Sequence, residues 1–365
     1  MRPTPAIAIV LLAAAGFVRG ANPAAPQPLT AQIRLEKVKL RPTVLLMGRT
    51  ADGRMVCRDL KPPGTVWRLK PAEVSRIRFD FKYDRALVAK LRRSGRWTQA
   101  AMVMGKAVIP ALPYLDIPHN NGIGLAMRTG NYLTRGGDLK SGFSLAPAAR
   151  KAGAAEFKYA LAIFQKVAAA EWSERAAEAQ MRACMCLVFL GRTEEAEETF
   201  EAIAEPEVDG DEYGVYQLAR AYCWAAKAKA REAADEKRGA EWRLAVEAAV
   251  HSSDFASKDI NTFPSALLLT AQCYEELGDW YRARDVYYGL AKLFARTPWG
   301  VVARRGLRRI LDDGKTAKDE AVASKDVFFG IDEDLNAESR KLLGIDENGN
   351  PVVPPKDPKP ADKKN

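Results

Sequence analysis

The chain has 365 residues, and 47% of them are hydrophobic, which is the proportion of an ordinary globular protein and excludes a wholly disordered chain. Its formal net charge is +10, and it contains only two histidines. This scarcity argues against histidine-based acid–base catalysis, nucleophilic triads and zinc sites. We therefore expect a protein that is not an enzyme and that needs no cofactor and no metal.

The first 21 residues have the pattern of a secretory signal peptide. Arg2 supplies the positive start, residues 6–18 form an apolar run, and Gly20 supplies a small residue for cleavage. The run is shorter than the roughly 20 residues that a membrane-spanning helix needs. An uncleaved N-terminal anchor is the alternative. The signal-peptide pattern predicts an exported protein, periplasmic or associated with the cell envelope. Because the first cysteine is Cys57, far beyond the apolar run, we expect that it is not a lipoprotein.

A small basic β domain is predicted over residues 31–82, after a Pro- and Ala-rich linker over residues 22–30. Apolar and polar residues alternate in several short runs, and Asp52-Gly53 is a hairpin signal between two of them. Residues 71–74 indicate a one-turn helix before the last run. The pattern predicts four to five strands in a small β-barrel-like or curled sheet of SH3-like type.

Helical periodicity dominates residues 83–311. Between Phe263 and Trp299, apolar residues recur at three- and four-residue steps in two segments, separated by Gly278-Asp279. Glycine can adopt the left-handed conformation that ends a helix, and the small Ala283 lets two helices approach closely. Related Gly-to-Ala turns occur at residues 95–100 and 191–196.

These helical hairpins resemble the tetratricopeptide repeat, a helical hairpin of about 34 residues. Two weaker copies lie between the clear ones, the first with its leading helix ending near Gly136. We expect a mainly α protein in which about five hairpins form a right-handed α-solenoid with a capping helix up to residue 311. An irregular helical bundle is the alternative, and residues 312–365 are expected to be mostly disordered. The five turn alanines are Ala100, Ala160, Ala196, Ala245 and Ala283.

The resemblance implies a non-catalytic scaffold that binds a protein or peptide partner on the concave surface lined by the first helices. Residues of three such helices are candidates to line this groove, although half of them could instead pack between repeats. An Arg between two aromatic residues, as at Arg220, suits recognition of a peptide carboxylate or carbonyl. The groove candidates are Met181, Arg182, Met185, Tyr216, Gln217, Arg220, Trp224, Leu268, Leu269 and Gln272.

A second functional hypothesis comes from the charge distribution. Residues 31–110 contain 19 Lys and Arg against 6 Asp and Glu, so the rest of the chain is slightly acidic. In an exported protein this favours an anionic envelope polymer, either a glycan or a membrane surface, and disfavours nucleic acid. A solvated basic surface without a ligand is the alternative. The basic patch comprises Arg76, Arg78, Lys82, Arg85, Arg92 and Arg93, with Arg34 nearby.

Two further residue types carry no predicted chemistry. His119 lies in a loop and has no evident catalytic partner nearby in the sequence. The β segment contains no combination of a nucleophile, a general base and metal ligands, which argues against a hydrolase site there. Four of the five cysteines lie on first helices of the predicted hairpins, where they are expected to pack in the core. The sequence predicts neither the identity of a partner nor the oligomeric state.

Overall fold

The computed structural model describes residues 29–36, 41–208, 212–233, 239–257, 259 and 261–315. These residues form five β-strands followed by twelve α-helices, so the mainly α class is confirmed. The predicted signal peptide, most of the linker and nearly all of the predicted tail lie outside the described residues. Among the described helices, none combines the length and hydropathy that crossing a bilayer needs.

The strands form one antiparallel sheet in the order β4-β3-β2-β1-β5. The predicted Asp52-Gly53 turn joins β2 to β3, with Gly53 at a φ of 80°. The predicted one-turn helix is confirmed as a 3-10 turn at Pro71–Glu73, immediately before β5. The strands are β1 (Thr30–Leu35), β2 (Thr43–Arg49), β3 (Met55–Asp59), β4 (Val66–Leu69) and β5 (Val74–Phe79).

The sheet is open, so the barrel-like form of the prediction is wrong. Strands β4 and β5 lie at its two edges and do not pair with each other. The side chain of Asn121 occupies part of the free edge of β5. Its Oδ1 accepts a hydrogen bond from the Phe79 N–H at 2.8 Å, and its Nδ2 donates to the Phe79 carbonyl at 3.0 Å. Asn121 therefore pairs with Phe79 as a neighbouring strand would.

The helices follow the predicted hairpins. Five helix pairs, α1/α2, α3/α5, α6/α7, α8/α9 and α10/α11, are followed by α12, which packs on α11. The helices are α1 (Arg85–Arg93), α2 (Trp97–Val108), α3 (Gly122–Lys140), α4 (Pro147–Arg150), α5 (Ala154–Ala168), α6 (Ala176–Phe189), α7 (Thr193–Glu201), α8 (Tyr213–Ala233), α9 (Gly239–Phe255), α10 (Thr262–Glu276), α11 (Trp280–Leu293) and α12 (Pro298–Asp312).

The turn residues behave as the sequence predicts. The glycines between the helices of the three clear hairpins, Gly95, Gly191 and Gly278, have φ values of 70°, 72° and 75°. This left-handed conformation ends a helix without the steric cost that a Cβ would bring. All five turn alanines, from Ala100 to Ala283, have 0% exposure, so each lies at a close helix contact.

One predicted helix end is wrong. Helix α3 does not stop at Gly136 but continues through Gly136 and Gly137 to Lys140. Both glycines serve packing instead: a Cβ on Gly137 would lie 2.5 Å from the ring of Phe157, and a Cβ on Gly136 would meet the side chain of Thr98. Helices α2 and α5 thereby approach α3 closely.

Helices distant in sequence also touch. The guanidinium of Arg135, on α3, lies 4.5 Å from the ring centroid of Trp97 on α2 and 5.0 Å from that of Trp299 on α12. Burial lowers the pKa of Arg135 to about 10, so the group remains charged at neutral pH. The second hairpin therefore contacts the last helix, which differs from the nearest-neighbour contacts of a simple solenoid.

The inner face of the sheet and the first hairpins share one core. Ala31, Ile33 and Ile77 from the strands are fully buried together with Leu115 and Ile117 from the segment after α2. Residues of the opposite face, among them Gln32, Thr43 and Arg78, are exposed within the part of the chain that the structure describes, as expected for an antiparallel sheet with one packed side.

Candidate functional site

Four of the predicted groove residues lie in the protein core. Met181, Met185, Tyr216 and Gln217 have exposures of 0%, 6%, 7% and 1%. Leu268 and Leu269, also expected to face inward, are buried as well. These side chains pack between helices, which was the alternative left open by the sequence, and in this structure they offer no surface to a partner.

Two polar groove candidates already have partners within the chain. Arg182 donates to the Glu178 carboxylate at 2.7 Å and lies 3.7 Å from that of Asp259. Burial alone would raise the pKa of Glu178, but Arg182 and Arg175 outweigh it and hold this pKa below its ordinary value. The Nε2 of Gln272 donates to the carbonyl of Phe143 at 3.0 Å.

The segment around Phe143 occupies the space beside Gln272. Phe143 follows α3, is 7% exposed and shares a cluster with Leu268 and Trp299. Its ring centroid lies 5.8 Å from that of Trp299. The backbone of Phe143 is left-handed, with a φ of 58°, a conformation that costs a residue with a side chain about 1–3 kcal/mol. The chain thus fills, with its own aromatic residue, part of the surface where a peptide was predicted to bind.

A buried ion pair holds this segment in place. Arg150 donates to the carboxylate of Asp138, and both residues are buried. The carbonyl of Asp138 accepts the N–H of Phe143 at 2.8 Å. Burial raises the pKa of Asp138 even though Arg150 lies beside it.

Of the predicted groove, Arg220 and Trp224 on α8 are half-buried and retain accessible surface.

The outer face of the sheet carries a different arrangement, which we call the arginine face. It consists of exposed arginines on four of the five strands. In the strand register Arg34 lies opposite Arg76, and Arg78 lies opposite Gln32. Towards the other edge of the sheet, Arg58 on β3 and Arg68 on β4 lie on the same face as these arginines. The arginine face comprises Arg34, Arg58, Arg68, Arg76 and Arg78.

None of these five guanidinium groups forms an ion pair or hydrogen bond with a described residue. Successive strands are about 4.8 Å apart, so charges on the outermost strands β4 and β5 are spread over about 19 Å. Apolar side chains lie among the arginines: Leu45 and Val66 pair with Arg58, and Val56 pairs with Arg68. Met47 is 51% exposed and Val66 is 47% exposed, and Leu45 and Val56 are half-buried beside them. The face therefore combines separated positive charges with exposed aliphatic groups.

The rest of the predicted basic patch lies apart from this face. Arg85, Arg92 and Arg93 are exposed on helix α1. Lys82 is exposed beyond β5, and its Nζ lies 3.7 Å from the carboxylate of Asp80. The structure thus brings together Arg34, Arg76 and Arg78 from the sequence prediction, but not the helical members.

Sequence reasoning missed Arg58 and Arg68. The available signal was their alternation with inward-facing residues: Cys57, next to Arg58, is fully buried. Placing them on the same face as Arg76 required the strand register, in which Leu45 pairs with Arg58 and Val56 with Arg68.

All five cysteines are buried free thiols, which confirms the core packing predicted for the four on helices. The closest pair is Cys184 and Cys223, whose sulfur atoms lie 3.4 Å apart. Burial raises the pKa of the Cys57 thiol to about 11, so it is protonated at neutral pH. A thiol held in this form is a poor nucleophile and a poor metal ligand. Within the described residues, no three His, Cys, Asp or Glu side chains are grouped so as to hold a metal ion.

No protein-family model, no curated protein and no solved structure matches this chain.

Proposed function

We propose that the chain binds an anionic phospholipid surface through the arginine face and that the helical hairpins form a non-catalytic scaffold behind it. The observation that carries this proposal is the set of five exposed arginines without ion pairs to described residues. Each basic residue near an anionic membrane surface contributes about 1 kcal/mol of attraction. Five arginines therefore supply a substantial part of the free energy with which the chain binds such a surface.

The exposed apolar groups of the face favour a membrane over other polyanions. Exposed Met47 and Val66 can enter the boundary between headgroups and acyl chains while the flanking arginines contact phosphates. An anionic glycan would use the charges alone. Single-stranded nucleic acid is bound on aromatic side chains that stack with bases, and no outward-facing residue of the five described strands is aromatic.

Export is part of this proposal. The signal peptide predicted over residues 1–21 would place the arginine face in the cell envelope, next to phospholipid headgroups. N-terminal sequencing of the protein from its native host should begin near Ala21, and a cytosolic protein that still begins at Met1 would contradict this location.

The test is cosedimentation of the full chain with vesicles of phosphatidylcholine, with and without phosphatidylglycerol, at low and high salt. Binding should require phosphatidylglycerol and weaken with salt. The double variant Arg58→Gln/Arg68→Gln removes two charges and should weaken binding about 30-fold, the equivalent of about 2 kcal/mol.

A matched control removes the same charge elsewhere. Arg243 on α9 and Arg305 on α12 are exposed arginines outside the sheet. The variant Arg243→Gln/Arg305→Gln should retain binding. If both double variants lose binding equally, net charge rather than the arginine face is responsible and the proposal is wrong.

A second proposal retains the peptide-binding scaffold implied by the repeat resemblance, with the hairpins stacked as a solenoid. Accessible Arg220 and Trp224, one helical turn apart on α8, support it. Mass spectrometry of proteins retained from an envelope extract would provide a partner. Calorimetry should then show weaker binding by Arg220→Ala with unchanged circular dichroism, whereas unchanged affinity would exclude this surface.

A further inference from the structure

A cavity of about 520 Å³ opens beside strands β1 and β5. Arg34 and Glu36 line it from β1 and the residue after it, and Ser75 and Arg76 line it from β5. The fifth lining residue, His119, comes from the loop between α2 and α3. The volume lies in the range of small-ligand sites.

The two arginines place like charges against each other. Arg34 and Arg76 are directly opposite in the antiparallel register, where side chains of the same sign repel. Neither guanidinium forms an ion pair with a described residue, and the Glu36 carboxylate lines the cavity without pairing with either of them. An anion bound between the two guanidinium groups would remove this repulsion.

His119, which lines the cavity, is held in an unfavourable backbone conformation. Its φ is 53°, in the left-handed region. The next residue holds the loop: Asn120 Nδ2 donates to the carbonyls of Leu115 and Ile117, both at 2.9 Å, and its Oδ1 accepts the Gly122 N–H at 2.8 Å. The strain is maintained by these contacts, as is common at ligand sites.

Together these observations identify a ligand chemistry. We propose that the cavity binds the phosphate monoester of a lipid headgroup, an inference that rests on the proposed membrane-binding function. Arg34, Arg76 and His119 supply donors from three separate elements. A phosphate monoester has three free oxygens in a tetrahedral arrangement and more negative charge than a diester, so it can accept hydrogen bonds from all three directions.

The full chain should be titrated with vesicles of phosphatidylcholine containing equal fractions of either phosphatidic acid, a monoester, or phosphatidylglycerol, a diester. The wild type should prefer phosphatidic acid. His119→Asn removes the imidazole but keeps a residue that tolerates the left-handed conformation. This variant should bind phosphatidic acid about tenfold more weakly and phosphatidylglycerol unchanged.

Arg68→Gln is the control, because Arg68 belongs to the arginine face but not to the cavity. It should weaken binding to both vesicles by the same factor. Circular dichroism of each variant should match the wild type. If the wild type binds both vesicles equally, or if His119→Asn leaves the preference intact, the cavity proposal is wrong while the arginine face stands.

Calorimetry with glycerol 3-phosphate separates the remaining outcomes. If neither vesicle is bound but glycerol 3-phosphate binds the wild type about tenfold more tightly than His119→Asn, the phosphate site stands with a soluble ligand and the membrane proposal fails. Absence of binding in both experiments overturns both proposals.

Discussion

Replacing Phe143 by alanine would remove an aromatic ring from between α10 and α12. The ring is almost fully buried, packs 5.8 Å from that of Trp299 and shares its cluster with Leu268. Deleting a buried phenylalanine side chain lowers the free energy of unfolding by about 3–5 kcal/mol. Because small domains are stable by only about 5–15 kcal/mol, this is a large share of the total.

A glycine variant separates the ring from the backbone. Phe143→Gly also deletes the ring, but glycine adopts the left-handed φ of 58° without a steric cost. Alanine retains that cost. We therefore expect the glycine variant to be about 1 kcal/mol more stable than the alanine variant, the reverse of the order found within helices.

Urea unfolding of the full chain, followed by tryptophan fluorescence and circular dichroism, measures both differences. Phe255, which is 46% exposed, provides the control: Phe255→Ala should change stability far less than Phe143→Ala. A loss below about 1 kcal/mol for Phe143→Ala would show that the ring does not fill this space. An alanine variant more stable than the glycine variant would refute the left-handed backbone.

Two further perturbations test the packing and the charges. Ala283→Trp overfills a close helix contact and should lower stability by about 1–3 kcal/mol or more, so an unchanged thermal melt would refute the fifth hairpin. The pKa of Glu178 is lower in the folded protein than its ordinary value of 4.5. The charged carboxylate therefore stabilises the folded state above pH 4.5, and this stabilisation is lost as the pH falls through the folded-state pKa. Wild type should therefore lose more stability than Glu178→Gln in urea titrations as the pH falls below 4.5. Parallel pH dependences would contradict the ion pairs with Arg175 and Arg182.

Local patterns in the sequence were sufficient for much of the fold. The positive φ values at Gly95, Gly191 and Gly278 and the burial of Ala283 follow from residues close in the chain, because a helix stop and a close helix contact have specific residue requirements. The same local rule failed at Gly136, where the absence of a side chain makes room for Thr98 rather than ending the helix.

The candidate sites depended on contacts between distant parts of the chain. Helical periodicity shows that Met181 and Tyr216 lie on an apolar side, but it does not distinguish a groove from a helix contact, and both are buried. Occupation of the space beside Gln272 by Phe143, 129 residues earlier in the chain, has no sequence signal. The approach of His119 to Arg34 and Arg76 likewise requires the packed sheet.

The stacking of Arg135 between Trp97 and Trp299 has a consequence for how the helical part unfolds. An array in which each hairpin contacts only its neighbours can fray from one end, losing its terminal units at little cost. Here the loss of α12 would also expose Trp97 and the charge of Arg135 near the start of the helices. The first and last parts are therefore expected to open as one cooperative unit, with amide protons of α2 and α12 exchanging with solvent at similar rates.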